Sequence, residues 1–229
     1  GAGILQALGA AFRRADGSVI TEPLCPARLA ETARIDPPPH RDLRLRIACD
    51  VTNPLLGPNG AAHTYGPQKG ASPDDVARLD AILAHFATLI GGDPDAPGAG
   101  AAGGVPFGLA TMLGATIERG IDLVLDALDF DARLAEADLV ITGEGRIDGQ
   151  SMHGKAIMGV AARAAAAGVP TLAIAGVLGD DFDVCLGPGR LTDALSLSEL
   201  YGPEAALADP SPLITDAVRT WVREWAERY

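Results

Sequence analysis

The sequence predicts an α/β fold, because strand patterns and helix patterns alternate along the chain. The alternation of apolar and basic residues at 43–49 and the short apolar run at 138–142 are typical of strands, and each opens into a polar loop that contains glycine. Helix patterns separate these runs, and an alternation of strand, loop and helix is typical of a parallel sheet. In such folds, ligands bind where the carboxyl ends of the strands open into loops. We therefore expect the functional residues in the loops that follow the strands.

Each predicted strand is a short run that ends at a polar residue or a glycine. Residues 43–49 alternate apolar and basic side chains up to Asp50, and residues 138–142 open into a polar loop over residues 143–150. In chain order, the predicted strands cover residues 43–49, 138–142, 170–175 and 194–197.

The predicted helices show a helical apolar period between glycine-rich breaks. The clearest start is at Ser72, which can cap a helix, followed by Pro73 in the first turn and then by two acidic residues. Gly168 closes a later, alanine-rich helix. In chain order, the predicted helices cover the opening residues and then 72–90, 105–113, 121–128, 154–167 and 212–229.

Composition narrows the functional class. The chain has 229 residues, a net charge of −12 and 4% aromatic residues, which argues against nucleic-acid binding because that requires basic surfaces and stacking rings. The three cysteines form no CxxC pair, so we predict a reducing, cytoplasmic location. No apolar run approaches the roughly 20 residues of a membrane span, so no membrane partner is expected.

Lysine occurs only at Lys69 and Lys155, against sixteen arginines, and both lysines lie in polar loops next to glycine. An acidic protein needs local cations to bind an anion, and lysine binds phosphate as a compact point charge. These two lysines are therefore candidates for phosphate binding. The alternative is that both are ordinary surface residues beside turns.

The segment after the first predicted strand combines a carboxylate, a hydroxyl and an amide. Asp50 ends the strand, and Thr52 and Asn53 open the loop. Such a group can hold a magnesium ion or a substrate hydroxyl. The alternative is an Asx-turn that only shapes the loop.

Three glycine-rich loops could let backbone N–H groups approach an anion. They are residues 57–60 (GPNG), 66–70 (GPQKG, with Gln68 and Lys69) and 98–104 (GAGAAGG, with Gly100 and Gly103). None matches the P-loop pattern. The alternatives are a tight solvent loop for the first two and a flexible connection for the third.

The segment 141–155 carries the densest set of reactive side chains. An apolar strand ends there in a loop that combines carboxylates, an amide, a histidine and a lysine, as a base, a metal ligand and a phosphate-binding group would require. Lys155 also lies near a helix start, where the helix dipole favours anions. The candidates are Thr142, Gly143, Glu144, Asp148, Gln150, His153 and Lys155.

Together these segments resemble one family, the bacterial type I glycerate kinases. The resemblance rests on residues 48–55 (ACDVTNPL), 57–61 (GPNGA), 66–71 (GPQKGA), 98–104 (GAGAAGG), 138–145 (DLVITGEG) and 153–155 (HGK), with Asp148 and Gln150 between the last two. The opening residues 1–10 fit as well. Order and spacing agree from the first residue to about Gly179 and less clearly beyond.

The resemblance implies two α/β domains with an active site in the cleft between them, and transfer of the terminal phosphoryl of ATP, with Mg²⁺, to D-glycerate. The product in bacteria is mostly 2-phosphoglycerate. By the same resemblance, residues 1–154 would form an inserted domain that carries most active-site loops. Residues 155–229 would complete a Rossmann-like domain whose first strands, in a long N-terminal segment of the relatives, are not in this sequence.

Residue roles follow as hypotheses. Asp50 or Glu144 would orient or deprotonate the attacking hydroxyl, Asp148 or Asp50 would hold Mg²⁺, and Lys69 and Lys155 would neutralise phosphate oxygens. The remaining candidates for binding the substrate or the nucleotide are Asn53, Gln68, Gly100, Gly103, Thr142, Gly143, Gln150 and His153.

The alternative function is a catalytically incomplete fragment that binds a ligand or complements another subunit. The partners expected besides D-glycerate are accordingly a second copy of the chain or a complementing N-terminal segment.

Overall fold

In a computed structural model, which describes residues 1–39, 43–152 and 154–227, the chain divides into two units, Gly1–Gly120 and Ile121–Tyr229. The expected division of the chain into domains 1–154 and 155–229 stays a prediction. None of the helices in the described part of the chain combines the length and the apolar character that a membrane span requires.

The first unit packs helices around short strands. Its longest helix begins where local sequence predicts it, because the Ser72 side chain accepts from the backbone N–H of Asp75 and the Asp75 side chain accepts from that of Ser72. Its elements are α1 (Ala2–Ala7), β1 (Ala11–Arg13), α2 (Pro26–Ala30), β2 (Arg34–Asp36), β3 (Arg46–Ala48), α3 (Ala61–Tyr65), α4 (Pro73–Ile90), α5 (Val105–Leu113) and β4 (Thr116–Glu118).

The core of the first unit lies where α1, α4 and α5 meet. Leu5, Phe12, Phe86 and Phe107 are buried in one apolar cluster. The rings of Phe86 and Phe107 meet edge to face, with centroids 6.0 Å apart and an angle of 74° between their planes. This core supports the loops that connect the elements around it.

Two small sheets complete the first unit. β1 pairs antiparallel with β2, and β3 pairs parallel with β4, with Ile47 opposite Ile117. The strand predicted at residues 43–49 is therefore confirmed over residues 46–48. Because β3 and β4 are parallel, the residues that follow them meet at one edge of their sheet.

The second unit is a parallel sheet with helices on both faces. The strand order is β5-β6-β7, with Thr142 opposite Ala173 and Ala175 opposite Ser196. Its elements are α6 (Gly120–Ala127), α7 (Phe130–Leu134), β5 (Val140–Ile147), α8 (Ala156–Ala166), β6 (Thr171–Leu178), β7 (Asp193–Ser196), α9 (Leu197–Tyr201), α10 (Pro203–Ala208) and α11 (Pro210–Ala226).

The central strand β6 is buried on both faces, as parallel strands are. Ala173 and Ala175 pack in one cluster with Ile157 and Ala161 of α8. Ile174, which points to the opposite face, packs with Leu197 of α9 and with residues of α10 and α11. This alternation is the two-residue period of a strand between two helical layers.

β5 and β6 are longer than the sequence pattern predicts. The expected loop at residues 143–150 begins five residues too early, because β5 continues through Gly143 and Gly145 to Ile147. A Cβ on Gly143 would lie 2.9 Å from the backbone oxygen of Ile174, and one on Gly176 would lie 2.8 Å from that of Gly145. These glycines are therefore strand positions of close backbone approach and not turn residues.

Candidate functional site

The candidate residues fall into two groups, one in each unit. In the first unit, the side chain of Asn53 connects three segments. Its amide nitrogen donates to the backbone oxygen of Asn59 at 2.8 Å and to the hydroxyl of Thr64 at 3.3 Å. Its amide oxygen accepts from the hydroxyl of Tyr65 at 2.7 Å. One N–H group of this amide therefore binds the loop at residues 57–60 and the other binds α3, which leaves a lone pair of Oδ1 for a ligand.

The loop at residues 98–104 is seated against the segment that contains Asn53. The backbone N–H of Gly100 donates to the backbone oxygen of Asn53 at 3.0 Å. A Cβ on Gly100 would overlap the backbone oxygen of Pro54 and lie 3.2 Å from the nitrogen of Ala61. The structure thus brings together three of the predicted segments, 48–55, 57–61 and 98–104, at one place in the first unit.

Asp50 lies at the carboxyl edge of the sheet formed by β3 and β4. Its Oδ1 accepts from the backbone N–H of Gly120 at 2.8 Å, which links the residue after β3 to the segment after β4. The side chain is otherwise exposed, and no described residue donates to its Oδ2. Asp50 thus presents one carboxylate oxygen to solvent.

Gln68 and Lys69 lie on an exposed turn of 3₁₀ helix, Pro67–Lys69. Lys69 lines a cavity of about 380 Å³ in the first unit, together with Tyr65, Gly103 and aliphatic residues such as Leu29 and Leu79. The cavity has the size of a small-molecule pocket and mostly apolar walls. Lys69 and Gly103, which the sequence assigns to ligand binding, therefore share one concave surface.

In the second unit, Lys155 forms an ion pair with Glu144. Nζ of Lys155 lies 3.1 Å from Oε1 of Glu144 and donates to the backbone oxygen of Arg146 at 3.2 Å. About a third of each of the two side chains is exposed, but Oε2 of Glu144 is buried and has no hydrogen-bond partner among the described residues. Lys155 is also the N-cap residue of α8, as its predicted position near a helix start requires.

Asp148 follows β5 and is held by three neighbours. Its Oδ2 lies 2.9 Å from Nε of Arg146, and its Oδ1 accepts from the backbone N–H of Gln150 at 3.1 Å. Its own N–H donates to the hydroxyl of the buried Ser151. The hydrogen bond from Arg146 lowers the pKa of the Asp148 carboxyl, so this group stays ionised at neutral pH.

The other candidates in this segment are less constrained. Thr142 and Gly143 lie within β5, Thr142 half-buried and Gly143 exposed, while the side chain of Gln150 is exposed. His153 lies outside the described residues. The predicted cluster therefore lies partly within strand β5 and partly in the turn that follows it, with Glu144, Asp148 and Lys155 at its centre.

Sequence reasoning missed two residues here, Arg146 and Asp181. Arg146 belongs to the polar segment but has no predicted role, although its side chain contacts Asp148 and its backbone oxygen accepts from Lys155. Asp181 lies 32 residues after Gly149 and accepts from its backbone N–H at 3.0 Å. The position of Asp181 in the sequence could have indicated it, because Asp181 follows the end of β6 as Asp148 follows the end of β5.

Magnesium would have to bind here with few protein ligands. Among the described residues, no group of three or more histidine, cysteine, aspartate or glutamate side chains could hold a metal ion. Magnesium commonly binds through one or two carboxylates and substrate phosphates, with water in its other positions. Asp50 fits that requirement better than Asp148, because both oxygens of Asp148 already accept hydrogen bonds.

Comparisons with known proteins agree on one family. The model of the glycerate kinase family matches residues 1–226, well beyond the limit near Gly179 at which the resemblance of the motifs weakens. A glycerate kinase from Halalkalibacterium halodurans is 41% identical over 229 aligned residues, which cover 96% of this chain and 60% of that protein. A glycerate 2-kinase from Escherichia coli K12 is 45% identical, with 80% of this chain and 50% of that protein covered.

A solved structure supports the same relationship. The crystal structure of a candidate glycerate kinase 2 from Salmonella typhimurium LT2 matches with a TM-score of 0.70 and 37% identity, over 96% of this chain and 62% of that one. The chain thus spans about half to three fifths of the length of these relatives. With a family model that covers nearly every residue and relatives at this identity, the chain belongs to the glycerate kinase family.

Proposed function

We propose that this chain contributes to the phosphorylation of D-glycerate by ATP, with 2-phosphoglycerate as the product. Family membership over residues 1–226 supports the reaction class, and a relative named glycerate 2-kinase supports the choice of hydroxyl. The structural observation that carries the proposal is the position of Lys155, at the amino end of α8 and beside the carboxyl end of β5.

Lys155 is the proposed ligand of a transferring or terminal phosphate. Two of its three N–H groups are directed by Glu144 and by the backbone oxygen of Arg146, which leaves one for a ligand. The dipole of α8 adds a favourable field for an anion at the same place. Phosphoryl transfer depends mainly on positioning and charge stabilisation, so a cation held in this way is a suitable part.

The sequence left Asp50 and Glu144 as alternatives for the attacking hydroxyl, and the geometry favours Asp50. Oε1 of Glu144 is paired with Lys155 and its Oε2 is buried, so neither oxygen is open to a substrate. Asp50 is exposed, and its Oδ2 accepts no hydrogen bond from a described residue. We assign the orientation or deprotonation of the hydroxyl to Asp50, and the orientation of Lys155 to Glu144.

Asp50 and Asp148 are the carboxylates proposed to hold magnesium, which would neutralise the charge that develops on the phosphate oxygens. Asp50 is the carboxylate best able to contact it, with Asp148 as the second candidate.

We propose that two regions of the first unit contact the substrate or the nucleotide. They are the glycine loops around Asn53, with Gly100 and Gly103, and the turn with Gln68 and Lys69. Thr142, Gly143, Gln150 and His153 keep the same proposed role.

The direct test is a coupled assay that follows ADP formation by the purified chain with ATP, Mg²⁺ and D-glycerate. We expect ADP formation to require D-glycerate, and ³¹P NMR of the product to show phosphate on the 2-hydroxyl. A folded chain that binds ATP but forms no ADP with D-glycerate would contradict the proposal for this chain and favour the ligand-binding or complementing subunit.

We also propose a cellular location and two candidate partners for the chain. Three free cysteines without a disulfide support a reducing, cytoplasmic compartment. A second copy of the chain and a complementing N-terminal segment remain the proposed partners. Light scattering of the purified chain tests the first, and a gain of activity on adding the N-terminal segment of a relative tests the second.

A further inference from the structure

The loops that follow β5 and β6 contact each other at the carboxyl edge of the sheet in the second unit. Asp181, in the loop after β6, accepts a hydrogen bond through Oδ1 from the backbone N–H of Gly149 at 3.0 Å. Gly149 directly follows Asp148, so Asp181 holds the turn on which Asp148 lies. A carboxylate that accepts from a backbone N–H forms a charge-assisted bond, which is stronger than one between neutral groups.

The two loops leave no room for additional side-chain atoms. A Cβ on Gly149 would overlap Oδ2 of Asp181. A Cβ on Gly179 would lie 2.7 Å from the Cβ of Asp148 and 3.1 Å from Nη2 of Arg146. Neither glycine has a φ in the left-handed region. Close packing, and not backbone conformation, therefore explains why glycine is present at both positions.

A second contact from the loop after β6 reaches the same turn. The thiol of Cys185, which is fully buried, donates to the backbone oxygen of Asp148 at 3.3 Å. The backbone N–H of Asp148 donates to the hydroxyl of Ser151 at 3.2 Å. Both polar backbone groups of Asp148 are thus held, and so is the N–H of the next residue.

The turn at Asp148 also orients the cationic side chain of Arg146. Asp148 lies 2.9 Å from Nε of Arg146, whose side chain is 58% exposed. The backbone oxygen of Arg146 accepts from Nζ of Lys155 at 3.2 Å. The positions of Arg146 and Lys155 at the end of β5 therefore both depend on how this strand end is held.

We infer that Asp181 is a positioning residue for the phosphate-binding end of β5. Through Gly149 it holds the turn at Asp148, and through Asp148 it directs the guanidinium of Arg146, beside Lys155, toward a nucleotide phosphate. The inference rests on the proposed kinase function, which supplies the nucleotide. Arginine binds phosphate oxygens through two parallel N–H groups, and lysine binds them as a point charge.

The functional test compares Asp181→Ala, Asp181→Asn and the neighbouring Asp180→Ala, which is exposed and changes the charge equally. We expect Asp181→Ala to lower kcat/KM for ATP about 10-fold, mainly through KM, as loss of a supporting partner commonly does. Asp181→Asn keeps an oxygen that accepts from the N–H of Gly149, so its kcat/KM for ATP should be close to that of the wild type. Equal values of kcat/KM for Asp181→Ala and Asp180→Ala would overturn the inference. A value for Asp181→Asn as low as that for Asp181→Ala would also overturn it.

The steric test uses Gly149→Ala alone and together with Asp181→Ala. The single variant forces a methyl group against Oδ2 of Asp181, so its melting temperature should fall. The double variant removes the obstructing carboxylate, so its melting temperature should lie above that of Gly149→Ala. If the two substitutions lower the melting temperature additively, the contact does not position the turn, and the inference is wrong.

The two tests separate this inference from the proposed function. Calorimetric titration of the wild-type chain with ADP and Mg²⁺ measures nucleotide binding without turnover, and an absence of binding would contradict the kinase assignment. The steric test needs no ligand, so additive melting temperatures would contradict the inference even in an active kinase. Nucleotide binding that Asp181→Ala weakens and Asp180→Ala does not would support both.

Discussion

A single amide, that of Asn53, joins three segments of the first unit. The sequence singled out this residue because a carboxylate, a hydroxyl and an amide followed a strand, and it left open whether the amide binds a ligand or shapes the loop. The structure shows the amide bonded to Asn59, Thr64 and Tyr65. Shaping the loop is therefore a role that the geometry supports directly, while contact with a ligand stays a proposal.

Loss of this amide should destabilise the first unit. We expect Asn53→Ala to lower the free energy of unfolding by about 1–3 kcal/mol, because the hydroxyl of Tyr65 and the backbone oxygen of Asn59 lose their partner. The matched control is Asn59→Ala, which removes an exposed side chain but keeps the backbone oxygen, and it should change stability by less than about 0.5 kcal/mol. Urea denaturation followed by circular dichroism measures both, and equal losses would contradict the assignment.

The charge on Lys155 should not be replaceable by that of arginine. Nζ of Lys155 lies within hydrogen-bond distance of a side-chain oxygen and a backbone oxygen at once. A planar guanidinium is larger and presents its donors in a rigid fork, so we expect Lys155→Arg to retain less than about a tenth of the wild-type kcat/KM for ATP. Steady-state kinetics at varied ATP provides the measurement. Near-normal kinetics would show that any cation suffices at this position.

At the scale of the element, local signals predicted the start of helix α4 and the positions of four strands, but not the short strands β1, β2 and β4 or the full length of β5 and β6. Ser72 and Pro73 mark the start of α4 because capping involves residues only three positions apart. β3 pairs with β4 across a separation of 70 residues in the sequence, and no local pattern reveals such a short partner. Similarly, Gly143 and Gly145 indicate a turn when read locally, whereas β6 beside them makes them strand residues.

The capping box of α4 predicts a defined loss of stability. Ser72→Ala removes the side-chain acceptor of the Asp75 N–H, so we expect a loss of about 1 kcal/mol at pH 7. The control on the same helix is Thr88→Ala, whose hydroxyl bonds within the helix and caps nothing, with an expected change below about 0.5 kcal/mol. Urea denaturation of the three proteins tests the difference, and equal values for the two variants would contradict it.

The same box predicts how stability depends on pH. Hydrogen bonds from the hydroxyl and backbone of Ser72 lower the pKa of Asp75 below its ordinary value of 3.8. A lowered pKa in the folded state means that the contribution is fully present above pH 3.8 and is lost as the pH falls through the folded pKa. The stability difference between wild type and Ser72→Ala should therefore shrink below pH 3.8, and a difference that grows there would contradict the cause given.

At the scale of the molecule, the two units have separate cores. Phe86 and Phe107 belong to the first, whereas Ile157 and the inner residues of β6 belong to the second. Both tryptophans, Trp221 and Trp225, lie in α11 of the second unit. Fluorescence of these two residues therefore reports on the second unit, and far-ultraviolet circular dichroism reports on both.

This arrangement predicts that core substitutions act on one unit at a time. Phe86→Ala should cost about 3–5 kcal/mol in the first unit and shift the dichroism transition without moving the fluorescence midpoint. Ile157→Ala should move the fluorescence midpoint, with a cost of about 2–5 kcal/mol. Equal shifts of both probes in either variant would mean that the chain unfolds as one cooperative body.

The most direct test of the central claim is the rate of ADP formation with ATP, Mg²⁺ and D-glycerate, for the wild-type chain and for Lys155→Ala. We predict turnover that requires D-glycerate in the wild type and a loss of at least about 100-fold in the variant, because the cation at the end of β5 is removed. The control is Arg219→Ala, an exposed cation on α11, which should retain wild-type activity. Normal turnover by Lys155→Ala would contradict the role of Lys155, and a wild-type chain that is folded but inactive would contradict the function proposed for it.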